Sequence, residues 1–320
     1  MGSKSEKGGS NTTMKVLVVG LSPALDQVLV LGESVEEEKI FRPDRRYRSA
    51  GSKSLNVARF LTRLGHEVHL IGFFGDYIGQ WLLSQCRAEG VNVLPIHCDD
   101  DNRINVTIIG AGKEYVISDR WQEVTDPELH LLQEHYRHIV NDFPFVIFAG
   151  SVAKGVGLDD YENMVRTAKE AGAKVIVDAK PSFLQVSLPY AWLIKVNQFE
   201  AHGLNVQEFR GNLGITCEKS GAFFKSENGF VLKAEVPQVP CVNSVGAGDI
   251  FLAYLLHVYW AEEDWRKALL VSSAAASSSV STEAIGEIDV HLFEELKRSI
   301  SVKEVGLDGF SEGPFYGRFC

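Results

Sequence analysis

The stretch Val242–Leu256, VNSVGAGDIFLAYLL, sets two glycines directly before a long apolar helical run. Glycine weakens a helix interior, so Gly246 and Gly248 are there for backbone geometry. Glycines at a helix start let the chain turn so that several N–H groups converge, and the helix dipole adds partial positive charge. Gly246, Ala247 and Gly248 therefore read as an anion hole. Asp249, in the first helical turn, reads as a carboxylate held ionised and ready to take a proton from an alcohol. Together they suit phosphoryl transfer to a hydroxyl, which rests on positioning and charge stabilisation. A structural turn whose Asp caps its own helix is the plain alternative.

Outward from this motif the chain alternates. KVLVVGL (15–21), EVHLIGF (67–73), FVIFAG (145–150), KVIVDA (174–179) and WLIKVN (192–197) are short apolar runs of buried parallel strands. Between them SLNVARFLTRLG (54–65), DYIGQWLLSQCRAEG (76–90), DPELHLLQEHYRHIV (126–140) and LDDYENMVRTAKEAG (158–172) have helical spacing. Asp126 is the expected N-cap of the third, with Pro127 in its first turn. SSAAASSSVS (272–281) reads as a close-packed helix of small residues. The order predicts an α/β fold, three layers α/β/α around a mostly parallel sheet. Residues 25–49 and 103–120 break the pattern with extended runs, the second folded at Gly110–Gly112 as a hairpin. They read as a small β-sheet lid over the carboxyl ends of the main strands, where ligands bind.

Composition bounds the rest. A net charge of −10 argues against nucleic acid or an anionic membrane as partner. The basic run FRPDRRYR (41–48) reads as a solvated strand edge. Five widely spaced cysteines, without a C-x-x-C pair, fit a reducing cytoplasm. His135 and His138 share a helix without further ligands and read as surface residues. The polar residues 1–13 read as a leader or disordered arm, 14–300 as one domain and 301–320 as a tail.

The motifs in their order resemble the pfkB carbohydrate kinase family, which has the ribokinase-like fold. NSVGAGDIFLAYLL resembles its C-terminal signature, AGSKSLNVARFLTRLG (50–65) its N-terminal one, LIKVNQFE (193–200) its K-P-N-x-x-E stretch and FAGSVAKGV (148–156) its G-S-L-P-P-G strand end. LSPALDQ (21–27) and DDDNRINVTI (99–108) resemble the branch that phosphorylates hexose phosphates, the 1-phosphofructokinases and tagatose-6-phosphate kinases. The resemblance implies ATP as donor, Mg²⁺ as cofactor, and a hexose phosphate such as fructose 1-phosphate, fructose 6-phosphate or tagatose 6-phosphate as acceptor. It implies Asp249 as base over the 246–248 anion hole. Asp26, Gly51, Lys53 and Asn56 would hold the sugar, with Arg103 and Asn105 reaching its phosphate and Lys53 assisting Arg103. Asn197 and Glu200 would organise Mg²⁺ through water. Lys195, Thr216, Gly221 and Ser273 would line the nucleotide pocket. A homodimer through the lid strands is the expected assembly, and the cytoplasm the expected location.

Departures raise a second reading. The family's G-G-K-G loop is Gly51-Ser52-Lys53-Ser54, and serines restrict what glycines allow. TCEKSG (216–221) puts Glu218 where a small residue should face nucleotide. Residues 201–215 are short for a helical crossover. A sugar- or nucleotide-binding relative with weakened catalysis, or a kinase for an unphosphorylated sugar or nucleoside, stands beside the hexose phosphate kinase.

Overall fold

The computed structural model describes residues 13–201 and 209–306. In chain order the elements are β1 (Lys15–Gly20), β2 (Ala24–Leu31), β3 (Arg45–Gly51), α1 (Ser52–Arg63), β4 (Glu67–Phe74), α2 (Tyr77–Ala88), β5 (Asn92–His97), β6 (Arg103–Gly110) and β7 (Lys113–Ile117). Then come α3 (Asp126–Ile139), β8 (Phe145–Gly150), α4 (Leu158–Glu170), β9 (Lys174–Ala179), α5 (Pro181–Ser187), β10 (Leu193–Asn197), α6 (Gln198–Ala201) and β11 (Asn212–Thr216). The chain continues with β12 (Ala222–Lys225), β13 (Val231–Glu235), α7 (Ala247–Glu262), α8 (Trp265–Ser279), α9 (Val290–Ser299) and β14 (Ser301–Val305).

The main sheet runs β14-β13-β12-β11-β10-β9-β8-β1-β4-β5, parallel from β5 to β11 and antiparallel beyond it. β1 shows why its strands read as unbroken apolar runs. Val16 and Val18 enter one core with residues of α1, α2, α7, α8 and α9, whereas Leu17 and Val19 enter the other with residues of α3, α4 and α5. A strand covered on both faces has no solvent side on which to place polar residues. The fold is the expected ribokinase-like three-layer arrangement. α7 is buried over most of its length, which explains why its apolar residues keep no single stripe.

The extended segments form a second sheet, β3-β2-β6-β7, with β2 and β6 parallel and the other pairs antiparallel. It stands over the carboxyl ends of the main strands. Glu114 at its tip accepts from Ser244 N (3.2 Å) and Ser244 Oγ (3.1 Å) in the loop before α7. At the other edge Tyr47 donates to Glu283 (3.0 Å) and Arg45 pairs with the same carboxylate (2.5 Å). The basic run thus lies on the edge strand β3, as its composition indicated.

Three expectations change. Asp126 is the first helical residue of α3. The cap is Thr125, which forms a reciprocal pair with Glu128, because Thr125 has the extended backbone that a cap needs. The start of the supposed tail is β14, paired antiparallel with β13, so the sheet extends past residue 300. The short 201–215 segment ends inside β11, which lies parallel to β10, so the chain does cross over to a further parallel strand. The leader, residues 202–208 and the rest of the tail lie outside the described residues.

Candidate active site

A cleft of about 830 Å³ lies between the lid and the carboxyl ends of the central strands. It is a usual volume for a small-molecule site. Every residue singled out from the sequence as a site candidate lines it, except Gly51, which stands just behind Asp26.

At its floor the chain turns through Gly246, whose φ of 83° is left-handed, into α7. Asp249 N and Ile250 N both donate to Gly246 O at 3.0 Å, closing the turn. Asp249 is buried, and its Oδ2 accepts from Asn56 Nδ2 at 2.8 Å. A Cβ on Gly248 would stand 2.5 Å from Lys195 Nζ, so the lysine ammonium lies directly against the glycine turn. Burial, then the charge of Asp178, pushes the Asp249 carboxyl up to about 6, against the opposing pull of Lys195, Asn56 and Lys53. Asp249 is thus a stronger base than an exposed aspartate, rather than one held ionised by the helix dipole alone.

Asp178, which reading the sequence missed, organises the cations. It stands fully buried one residue before the end of β9; one oxygen takes Lys53 Nζ, and the other lies 3.0 Å from Lys195 Nζ. Lys53 also donates to Glu200 (2.9 Å). Burial would raise the Asp178 carboxyl, but Lys195 and Lys53 outweigh it and hold it below the usual range. Burial likewise pulls Lys53 down, and Asp178 and Glu200 together push it well above its ordinary value. A signal existed in KVIVDA. A carboxylate near the end of a strand buried on both faces must be paired.

Toward the lid, Asp26 Oδ1 accepts from Asn105 Nδ2 (2.8 Å) and Oδ2 from Ser52 N (3.3 Å). Burial is the main influence raising the Asp26 carboxyl. Gly51 permits this, since a Cβ there would stand 2.0 Å from Asp26 Oδ2. The next residue, Ser52, carries a φ of 73°. The serine at the second position of the 51–54 loop is therefore held in a strained, left-handed backbone. Asn56 Oδ1 and Asn105 Oδ1 are buried acceptors without a partner among the described residues. Such atoms are costly unless a ligand hydroxyl supplies the missing donor. Arg103 is buried and donates through Nε to Ser22 Oγ (3.0 Å) and through Nη2 to Ser22 O (3.2 Å). Lys53, grouped with Arg103 from the sequence, is instead committed to Asp178 and Glu200.

At the opposite end Thr216, Gly221 and Ser273 line the cleft. Gly221 has a φ of 86°, and Ser273 Oγ is buried without a partner among the described residues. Cys217 turns into the core, whereas Glu218, at a φ of 44°, faces the cleft beside Lys219.

For a divalent cation the test is the donor set. Among the described residues no cluster of His, Cys, Asp and Glu makes a cage. Glu200 Oε2 accepts from Asn197 N (2.9 Å), and Asn197 Oδ1 accepts from the amides of Phe199 and Glu200 (2.9 Å each). These residues are fixed, face the cleft and fit contact through water, as suits an ion that keeps its hydration and is held by substrate phosphates.

The cleft, with a buried carboxylate at a glycine turn, has the size and polarity of a small-molecule site. Residues 14–289 match the family model described as pfkB family carbohydrate kinase, and the chain belongs to this family. It is 25% identical over 315 residues to tagatose-6-phosphate kinase of Staphylococcus epidermidis, covering 91% of this chain and 100% of that protein. It is 26% identical over 262 residues to 1-phosphofructokinase of Borreliella burgdorferi, covering 76% and 84%. The crystal structure of phosphofructokinase-2 from Escherichia coli, with substrates and products, superposes with a TM-score of 0.79 at 20% identity, covering 89% of this chain and 99% of that one. The chain is therefore a carbohydrate kinase, transferring phosphate to an alcohol, and ATP is the donor the family implies. No helix among the described residues is long and apolar enough to cross a membrane.

Proposed function

We propose that the protein transfers the γ-phosphoryl group of ATP to a hydroxyl of a hexose phosphate. The observation that carries this reading is Asp249, buried at the glycine turn with Lys195 against it and Asn56 fixing its carboxylate. Asp249 takes the proton of the acceptor hydroxyl as its oxygen forms a bond to the γ-phosphorus. The bond from that phosphorus to the β–γ bridging oxygen breaks, and ADP leaves with the electron pair. The 246–248 backbone and Lys195 face the charge that spreads over the transferring group. Asp26, Asn56 and Asn105 orient the sugar hydroxyls, Arg103 takes the phosphate that the sugar already carries, and the lid excludes water. Asn197 and Glu200 would hold Mg²⁺ through water, and the ion would supply neutralisation of phosphate charge. Thr216, Gly221 and Ser273 hold the nucleotide. A lid-to-lid homodimer belongs to the same reading. Among the described residues β7 is an open edge, with Val116 and Ile117 more than half exposed. A monomer in sedimentation would remove that part.

The test is ADP release with ATP and Mg²⁺ over fructose 1-phosphate, fructose 6-phosphate, tagatose 6-phosphate, free hexoses, ribose and nucleosides. Turnover is expected on a hexose phosphate. Asp249→Asn should lower kcat by about 10²–10⁴-fold while leaving sugar phosphate binding intact. The base must be unprotonated, and its carboxyl is raised from 3.8 to about 6, so kcat/KM should fall as pH drops below about 6. A profile flat down to pH 4 would deny Asp249 that role. Binding of sugar phosphate without turnover would favour the non-catalytic relative instead.

A further inference from the structure

We propose that Lys180 is a specificity-determining residue, which with Arg103 forms a paired cationic seat for the phosphate carried by the acceptor sugar. The inference rests on reading the acceptor as a sugar phosphate. Lys180 follows β9 directly and lines the cleft, as does Arg103, which begins β6 in the lid. The two come from opposite sides of the cleft and meet at one ring. Lys180 Nζ lies 3.6 Å from the centroid of Trp121, and Arg103 Cζ lies 5.5 Å from it.

The charge balance separates these cations from their neighbours. Lys53 and Lys195 are neutralised by Asp178 and Glu200. Among the described residues, neither Lys180 nor Arg103 has a carboxylate within ion-pair distance. The partners of Arg103 are the neutral hydroxyl and carbonyl of Ser22. Asp26 and Asp119 act on it only from further away. Partial burial, then the charge of Arg103, lowers the proton affinity of Lys180. Two like charges brought to one ring in a cleft are unfavourable on their own. A dianion between them reverses the sign, and a phosphate monoester is the dianion a sugar phosphate supplies. Arg103 provides a fixed fork, and Lys180, exposed to the cleft, provides a mobile point charge that follows the phosphate. A neutral sugar leaves this repulsion as it is in the free protein, so the phosphate alone gains from the pair.

The experiment compares wild type, Lys180→Met and Lys180→Arg by calorimetric titration with fructose 1-phosphate, fructose 6-phosphate and tagatose 6-phosphate, and by steady-state kinetics on these and on free hexoses. Lys180→Met should raise Kd and KM for the preferred sugar phosphate about 10–100-fold. Its kcat should change less than about threefold, because the phosphate seat acts on binding and not on the transferring group. Lys180→Arg should restore affinity to within about threefold, and KM for free hexoses should not move. Wild type that binds a sugar phosphate, with Lys180→Met binding it equally well, overturns this inference alone. An equal loss with free hexoses overturns it too, since it assigns Lys180 to packing. Wild type that binds none of the sugar phosphates overturns both this inference and the acceptor reading.

Discussion

The two ends of the cleft are built differently. At the proposed acceptor end Asp26 accepts from Asn105 and Ser52, and Asp249 accepts from Asn56, with both carboxylates buried. At the proposed nucleotide end the lining is Thr216, Ser273 and the 218–221 turn, with Glu218 and Lys219 exposed on the cleft side. Reading the hydroxyls of one sugar requires polar atoms fixed before the sugar arrives. Holding a nucleotide that is also gripped by its phosphates requires mainly room. One end therefore spends buried polar groups and the other spends shape.

Substitutions of equal size should separate the two ends. Gly51→Ala drives a methyl group to 2.0 Å from Asp26 Oδ2. Misplacing that carboxylate should lower kcat/KM for the acceptor by about 100-fold, with KM for ATP nearly unchanged. An equal loss for both substrates would show that the ends are one mechanical unit. Gly221→Ala meets Ala234 O at 2.1 Å from a left-handed φ of 86°. It should cost about 1–3 kcal/mol of stability and raise KM for ATP several-fold, sparing the acceptor. Thermal melting and paired KM measurements check it, and an acceptor KM that rises with that for ATP would blur the comparison. Ser52→Gly should have the smallest effect. It removes the cost of a serine at a φ of 73°, about 1 kcal/mol, raising Tm by a few degrees. Sugar kinetics should stay within about twofold, because Asp26 still accepts from the backbone amide of residue 52. A large change in sugar preference would mean that the serine hydroxyl, which lies 3.0 Å from Ser54 Oγ, reads the acceptor.

Legibility in the sequence followed how local each cause is. The central parallel strands were legible because double-sided burial forces unbroken apolar runs, and the lid hairpin because Gly110–Gly112 interrupts two alternating ones. β12, β13 and β14 gave weaker signals, being short antiparallel strands at one end of the sheet, and β14 was taken for a tail. The cap of α3 was misplaced by one residue because Thr125 and Asp126 are both good caps and only backbone geometry separates them.

For the site, residue types and spacing singled out Asp249 at its glycine turn, and the resemblance to the pfkB family added Asp26, Asn56, Arg103, Asn105 and the 197–200 pair. What they touch was decided by the tertiary structure. Asp178 takes the two lysines that had been assigned to phosphates, Lys180 and Arg103 meet at Trp121, and Glu114 ties the lid to the loop before α7. These are contacts between residues distant along the chain. Coulomb energy and hydrogen bonding depend on separation in space, which a linear pattern of residue types does not carry until the sheet has brought its strand ends together.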